Sequence, residues 1–178
     1  MDYNQTDFTQ KTRVISARKK TTDLPLIGES NQSTHSIQLQ DYVNAFVINE
    51  ANEVLVLEGA HNGRSWSSWQ VIGRSLQDNE DPMHAIQQDL YIRTGYVCTN
   101  WIYLGTFVID ETQKCGAGHF FCARLLHKNI KPDKAATDGL NLKWVEKREL
   151  KQALLDGRIA VINHAVAISL AMVMCNQT

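Results

Sequence analysis

The stretch 72–96 combines acidic and basic side chains at spacings that could support metal-dependent chemistry. Asp89, Ile92 and Arg93 are separated by three and four positions, so a helix places them on one face. Mg²⁺ prefers oxygen ligands, and a site that clusters two or three metal ions needs several acids on such a face. Here one position carries an acid, one a hydrocarbon and one a cation. The pattern leaves open a working metal site, a repurposed site, or a plain surface ion pair between Asp89 and Arg93, and it favours the last.

Two arginines near the same stretch offer a second kind of chemistry. Arg93, together with Arg74, could contact phosphate directly, because a guanidinium binds phosphate oxygens in pairs without a metal ion. Glu80 allows two interpretations: a residual metal ligand, or an acid near a helix N-terminus, where the helix dipole favours negative charge. Arg64, which precedes this stretch, is a further candidate for a phosphate or ribose contact.

Aromatic and histidine residues give weaker signals. Trp66 and Trp69 could stack a nucleotide base, but packing in the core or at its rim is the favoured interpretation for each. The histidines share no spacing that predicts a site, and His119, inside an apolar strand, is interpreted as a core or edge residue. No Ser-His-Asp arrangement, P-loop or dinucleotide-binding fingerprint is evident in the sequence.

The elements that must position these residues follow from the hydrophobic pattern. A helix is predicted over 82–94, with Asp81 as N-cap, Pro82 at its first position and Gly95 as its stop. The other predicted elements are helices at 147–157 and 161–174, and strands at 35–40, 42–50, 53–59, 67–73, 96–110, 118–126 and 140–146, of which 96–110 is one long strand or two short ones. Because strands, one helix, more strands and two helices follow in this order, the sequence predicts an α+β domain with a mixed sheet.

Length, composition and charge bound the class of protein. The 178 residues fit one domain, and a hydrophobic content of 43% suffices for a core. Residues 1–33 are polar and are predicted to form a partly ordered N-terminal arm, whereas residues 34–178 form the domain. The net charge of −1 gives no indication of a nucleic-acid-binding surface.

Cysteine usage and hydropathy indicate the compartment. The four cysteines form no CxxC pair and show no zinc spacing with histidines, which favours reduced, buried thiols in a cytoplasmic protein. The N-terminus has no apolar segment typical of a secretory signal. The longest apolar stretch, 159–174, is shorter than the roughly 18–20 residues of a bilayer span, so no membrane association is expected.

The stretch 69–96 resembles the Nudix box of the Nudix hydrolase superfamily. "WQVIGR" is similar to the family's Trp-Glu-Leu-Pro-Gly-Gly approach to the loop, with Gly73 retained. Glu80-Asp81-Pro82 resembles the end of that loop and the start of its helix, and "TGY" matches the helix exit. The resemblance extends over residues 40–174, and the tail is similar to the ADP-ribose pyrophosphatase branch. It implies an α/β/α sandwich with a mixed β-sheet core.

The departures from this family fall on the positions that carry its chemistry. Where the family pattern has Arg-Glu and then Glu-Glu, this chain has Gln88-Asp89 and Ile92-Arg93. The resemblance therefore implies that metal-ligand positions are lost, and a fixed cation close by also repels Mg²⁺. Asp138 is the nearest acid to a position at which members of this branch can place a catalytic base.

The residues and the resemblance together define the expected function. We expect a protein that binds a nucleoside diphosphate derivative, or a protein partner, with weak or no hydrolysis. The alternative is an active Mg²⁺- or Mn²⁺-dependent hydrolase of ADP-ribose or a similar nucleotide. The family also implies a homodimer, to which the N-terminal arm could contribute. The candidate catalytic residues are Glu80, Asp89 and Asp138, of which Glu80 and Asp89 could bind metal, and the candidate ligand-binding residues are Arg64, Trp69, Arg74 and Arg93.

Overall fold

Seven strands and three helices make up the described part of the chain. The computed structural model describes residues 39–60, 67–110, 115–128, 137 and 139–175. The predicted N-terminal arm and its boundary with the domain lie outside these residues. The strands are β1 Tyr42–Ile48, β2 Glu53–Ala60, β3 Ser67–Gln70, β4 Ile72–Ser75, β5 Tyr96–Asp110, β6 Cys115–Lys128 and β7 Asn141–Glu146. The helices are α1 Pro82–Thr94, α2 Lys147–Leu155 and α3 Ile162–Met174.

The seven strands belong to one mixed sheet in which β1 is central. The strand order is β3-β2-β1-β6-β5, while β4 also pairs with β1 and β7 with β2. β1 and β6 run parallel, and the other pairs are antiparallel. The start of β1, from Tyr42 to Ala45, pairs with β4, whereas Ile48 at its end pairs with Val54 of β2. The predicted α+β class and mixed sheet are confirmed.

One stretch that was predicted as a strand is divided in the structure, and another is mostly outside the described residues. The stretch 67–73 contains β3 and the start of β4, separated by Val71, because the chain passes there from the edge of β2 to the edge of β1. This change of partner places Arg74 of β4 beside β1. Most of the stretch 35–40 lies outside the described residues, and its last two residues are in no strand.

Helices cover both faces of the sheet. Val43, Ala45 and Val47 of β1 are buried in one hydrophobic cluster with residues of α1, whereas Phe46 and Ile48 are buried in a second cluster with residues of α2 and α3. The nearly continuous apolar sequence of β1 follows from this burial on both faces. The expected α/β/α sandwich is therefore present, and no helix in the described ranges is both long and apolar enough to span a membrane.

Local signals define α1 at both ends. The Asp81 side chain accepts a hydrogen bond from the backbone N–H of His84 at 2.7 Å, and Pro82 begins the helix, where its missing N–H costs nothing. Gly95 has a φ of 69°, and its N–H bonds to the Tyr91 carbonyl at 2.8 Å. The predicted helix 82–94 is thus confirmed together with its caps.

Gly73 allows β4 to approach β1 closely. A Cβ at this position would lie 2.1 Å from Asn44 Nδ2 and 2.5 Å from the backbone oxygen of Val43. Asn44 is fully buried, and its Nδ2 lies 3.2 Å from Nδ1 of His164 on α3. The glycine therefore gives space to a buried polar contact that connects the central strand to the helix layer behind it.

We expect Gly73→Ala to lower the free energy of unfolding by about 1–3 kcal/mol, because the added methyl group would force β4 away from β1. Urea unfolding of the variant and of the parent protein measures the difference. Ser75→Ala, two residues along β4 at an exposed position, is the control and should leave the midpoint almost unchanged. An unchanged midpoint for Gly73→Ala would contradict the close approach.

Candidate charged site

Three elements bring the charged residues of the predicted site together. β4 carries Arg74, a turn before α1 carries Glu80, and α1 carries Asp89 and Arg93. Within the turn, Asn79 adopts a left-handed φ of 61°, and the Glu80 N–H bonds to the Gln77 carbonyl at 3.1 Å. An Asn tolerates this backbone conformation better than most residues do. The turn therefore directs the Glu80 side chain back towards β4.

Arg74 and Glu80 form a bidentate ion pair. The two guanidinium nitrogens of Arg74 donate to the two carboxylate oxygens of Glu80 at 2.8 and 2.5 Å. The backbone N–H of Gln77 donates to the same carboxylate at 2.9 Å. Hydrogen bonds from Arg74 and then from Gln77 lower the pKa of Glu80 from 4.5 to about 2. Both oxygens of this acid are therefore occupied by internal donors.

Asp89 and Arg93 form a second pair, one turn apart on α1. Arg93 Nε donates to Asp89 Oδ1 at 2.9 Å. The predicted pair forms, but its placement at the surface is wrong, because Asp89 is only 7% exposed. Asp89 Oδ2 is buried and has no hydrogen-bond partner among the described residues. The burial makes this pair more consequential for stability than an exposed helix pair.

The two pairs act as one electrostatic unit, here named the charge cluster: Arg74, Glu80, Asp89 and Arg93. The hydrogen bonds to Glu80 raise the pKa of Arg74, and the negative charges of Glu80 and Asp89 raise it further. Two acids are thus balanced by two guanidinium groups. Glu80, Asp89, Arg74 and Arg93, which were predicted from the sequence as site residues, lie together in the structure.

The charge cluster does not fit a divalent cation. Mg²⁺ is bound by accessible oxygen atoms. Some of them belong to water molecules that it retains, and the protein usually supplies a few carboxylates. Both oxygens of Glu80 are hydrogen-bonded to Arg74, and one oxygen of Asp89 is hydrogen-bonded to Arg93. On the helix face that carries Asp89 and Arg93, the remaining position is Ile92, a 49% exposed hydrocarbon that cannot bind a metal ion. Among the described residues, no three His, Cys, Asp or Glu side chains are grouped so that they could hold a metal ion.

Trp69 lies on the other side of the sheet from the charge cluster. Its ring is 2% exposed and belongs to the hydrophobic cluster that α2 and α3 cover. Its Nε1 donates to Glu58 Oε1 at 2.8 Å, and Lys143 Nζ and Arg158 Cζ lie 4.6 and 4.3 Å from the ring centroid. This packing supports the core interpretation, since a base could reach the ring only after these neighbours moved.

The other candidates lie outside the described residues: Arg64, Trp66 and Asp138.

The sequence did not predict a second polar group on the sheet, here named the polar row: Asp41, Tyr103, Thr106 and His119. Thr106 Oγ1 lies 2.5 Å from the Tyr103 hydroxyl and 2.8 Å from His119 Nδ1. The spacing of two between His119 and Phe121 could have shown which face the histidine shares, but it gives no signal for the contact with Thr106.

Removal of the Arg74 guanidinium should raise the pKa of Glu80. In Arg74→Ala we expect the pKa of Glu80 to rise from about 2 towards 4.5. An NMR titration of the Glu80 side-chain carboxyl carbon measures this pKa. The lowered pKa means that the pair stabilises the fold above pH 4.5 and that this stabilisation is lost as pH falls towards 2. Arg158→Ala, on the opposite side of the sheet, is the control. A Glu80 pKa that stays near 2 in Arg74→Ala would contradict the bidentate pair.

A double-mutant cycle should measure the strength of the Asp89–Arg93 pair. Arg93→Met should lower stability by about 1–3 kcal/mol, because it leaves a buried carboxylate without a charged partner. In the Asp89→Asn background the same change should cost much less, since no charge is then left behind. Urea unfolding of the four proteins gives the coupling energy. Equal costs in both backgrounds would show that the two side chains act independently.

No protein-family model matches the chain, and no curated protein does so. Solved structures do match it. An ADP compounds hydrolase has a TM-score of 0.63 at 10% identity, over 90% of this chain and 96% of that one. A NUDIX hydrolase from Nitrosomonas europaea has a TM-score of 0.58 at 13% identity, over 75% and 88% of the two chains.

MutT is also similar, in a structure from work on the Aliivibrio salmonicida and Vibrio cholerae proteins. The TM-score is 0.56 at 15% identity, over 76% of this chain and 98% of that chain. Identities this low establish a shared fold without establishing a shared activity. The arrangement of seven strands and three helices is accordingly the Nudix-like fold that the sequence predicts.

Proposed function

We propose that this Nudix-like protein binds a nucleoside diphosphate derivative and hydrolyses it weakly or not at all. The observation that carries the proposal is the pairing of each acid in the charge cluster with a guanidinium group. Metal-assisted attack of water on a diphosphate needs carboxylates that are available to bind cations. In this chain the cations are supplied by Arg74 and Arg93, which are covalently part of the protein.

Arg74 is the residue best placed to contact a phosphate. Its side chain is partly exposed, and it donates to Glu80 and to the Ser75 carbonyl. In the described part of the chain, its Nε–H and one Nη2 hydrogen donate to no other atom. A guanidinium carries five donors in a planar fork, so it can hold a carboxylate on one edge and a phosphate oxygen on another. Phosphate binding would then require no divalent cation.

One observation favours the alternative, an active hydrolase that uses Mg²⁺ or Mn²⁺. Asp89 Oδ2 has no hydrogen-bond partner among the described residues, and an unpaired buried carboxylate oxygen is costly unless something binds it. For catalysis Arg93 would have to leave Asp89, and Glu80 would have to leave Arg74. Asp138 would then be the candidate base. The alternative therefore requires both ion pairs to open.

Assembly and location remain predictions. β5, whose partner among the described strands is β6, carries exposed apolar side chains at Ile102, Phe107 and Ile109, on the face opposite Tyr103. An exposed apolar patch of this kind is typical of an interaction surface, which supports the expected homodimer or a protein partner. The mass of the purified protein in solution tests the dimer.

We also expect a cytoplasmic protein, because Cys98, Cys122 and Cys175 are free and buried.

A hydrolysis assay tests the proposed function. Incubation of the parent protein with ADP-ribose and Mg²⁺ or Mn²⁺ should release products slowly or not at all. The variant Ile92→Glu with Arg93→Glu restores acids at two helix positions and removes one cation, and it should show increased metal-dependent turnover. Robust turnover by the parent protein that is lost in Glu80→Gln would overturn the proposal and support the alternative.

Ligand binding without metal forms the second half of the test. In EDTA, ADP-ribose should still raise the thermal midpoint of the parent protein, and Arg74→Ala should abolish most of that shift. Arg74→Lys is the matched variant, because it keeps the charge but loses the planar fork, and it should retain only part of the shift. A shift that appears only with metal present would favour the alternative.

A further inference from the structure

The polar row lies on the same face of the sheet as Arg74. Strand pairing aligns Arg74 with Val43, Val43 with His119, and His119 with Thr106 across β4, β1, β6 and β5. Val43 is buried in the cluster that α1 covers, as is Phe121, two residues after His119. Residues two apart on a strand share a face. The line of side chains therefore crosses the α1 side of the sheet from the charge cluster to the exposed edge strand.

A bulge in β5 puts Thr106 on this face. Tyr103 pairs with Phe121, but Gly105 pairs with Phe120, so one extra residue enters β5 between them. Gly105 has a φ of 134°, a conformation that suits glycine. In a regular strand Tyr103 and Thr106 would point to opposite faces, because three positions separate them. The bulge re-aims the threonine hydroxyl towards Tyr103 and His119, as bulges beside functional sites commonly do.

The hydrogen bonds of the polar row can all run in one direction. The Tyr103 hydroxyl can donate to Thr106 Oγ1, and the Thr106 hydroxyl can then donate to His119 Nδ1. This arrangement leaves the proton of the neutral imidazole on Nε2, which lies 4.0 Å from Asp41 Oδ2. The other oxygen of Asp41 accepts the backbone N–H of Ala117 at 2.7 Å. The polar groups are thus ordered in advance of any ligand.

The polar row also remains open to solvent. Tyr103 is 54% exposed, and its ring rests against Phe121 with 5.4 Å between the ring centroids. Thr106 is exposed as well, and His119 is partly so. An exposed aromatic ring whose orientation is fixed by a buried neighbour offers a stacking surface at low entropic cost. Hydroxyl and imidazole groups beside such a ring supply both donors and acceptors.

We propose that the polar row binds the nucleoside part of the ligand whose phosphates contact Arg74. Adjacent strands are about 4.8 Å apart, so His119 lies roughly 10 Å from Arg74 across the sheet, and Thr106 lies one strand further away. A nucleoside diphosphate is long enough to span this separation, with its base on Tyr103 and its ribose hydroxyls or base edge at Thr106 and His119. This inference rests on the proposed phosphate contact of Arg74 and adds the class of group recognised beside it.

Calorimetric titration in EDTA with two probes, inorganic pyrophosphate and ADP, tests the inference. The parent protein should bind ADP more tightly than pyrophosphate. Tyr103→Leu should weaken ADP binding about tenfold, as loss of base stacking does, without changing pyrophosphate binding. Thr106→Val, which keeps the side-chain shape, should weaken ADP binding selectively and by less. Phe107→Leu is the control: its ring contacts Phe120 on the opposite face, so its affinities should match those of the parent.

The outcomes of these titrations distinguish a failure of the nucleoside subsite from a failure of the proposed function. Equal affinities of the parent protein for ADP and pyrophosphate, or a Tyr103→Leu variant that binds ADP as the parent does, would overturn the nucleoside subsite and leave the phosphate contact intact. Failure of both probes to bind would overturn the proposed function together with the subsite. Loss of both affinities in Thr106→Val with an unchanged unfolding midpoint would place the row in phosphate binding instead, and would also overturn the subsite.

Discussion

The pairing of β1 with its neighbours is the constraint on which the arrangement of this protein depends. β1 is buried on both faces, and it hydrogen-bonds to β4 and β2 on one side and to β6 on the other. Its register with β4 fixes Arg74, and its register with β6 fixes His119. The side-chain period of a strand is two, so a shift of one residue in either pairing would turn these groups to the other layer. Gly73 protects the first register, because the two strands touch where its side chain would be.

Each acid of the charge cluster has a guanidinium group as its counter-ion. A nearby cation stabilises a carboxylate. This positive charge can come from a mobile Mg²⁺ ion or from a fixed guanidinium group. Arg74 supplies it to Glu80 with two direct hydrogen bonds. Arg93 supplies it to Asp89, whose burial makes an unpaired charge costly. The folded state is therefore charge-balanced by itself, whereas a site built for metals would be acidic until it is loaded.

Local signals made much of the fold predictable from the sequence, whereas contacts across the sheet were not. The boundaries of α1 follow from Asp81, Pro82 and Gly95, whose effects act within one turn. The alternation of side chains in a strand shows that Trp69 has a definite face, but it cannot show which face α1 covers. Spacing placed Asp89 and Arg93 together without revealing that Asp89 is buried. The alignment of Thr106 with His119 depends on a bulge between distant strands, and that register has no signature in either segment.

The bidentate contact between Arg74 and Glu80 gives this surface a built-in competitor. The carboxylate is tethered six residues from the guanidinium, so it competes at a high effective concentration with any phosphate that approaches the same edge. A ligand that used the same edge of Arg74 would have to displace it, and its apparent affinity would fall by the fraction of time that the pair is closed. A ligand with further contacts elsewhere on the sheet could offset this penalty, whereas free phosphate could not. For ligands at that edge, the pair would thus favour larger phosphate esters over inorganic phosphate.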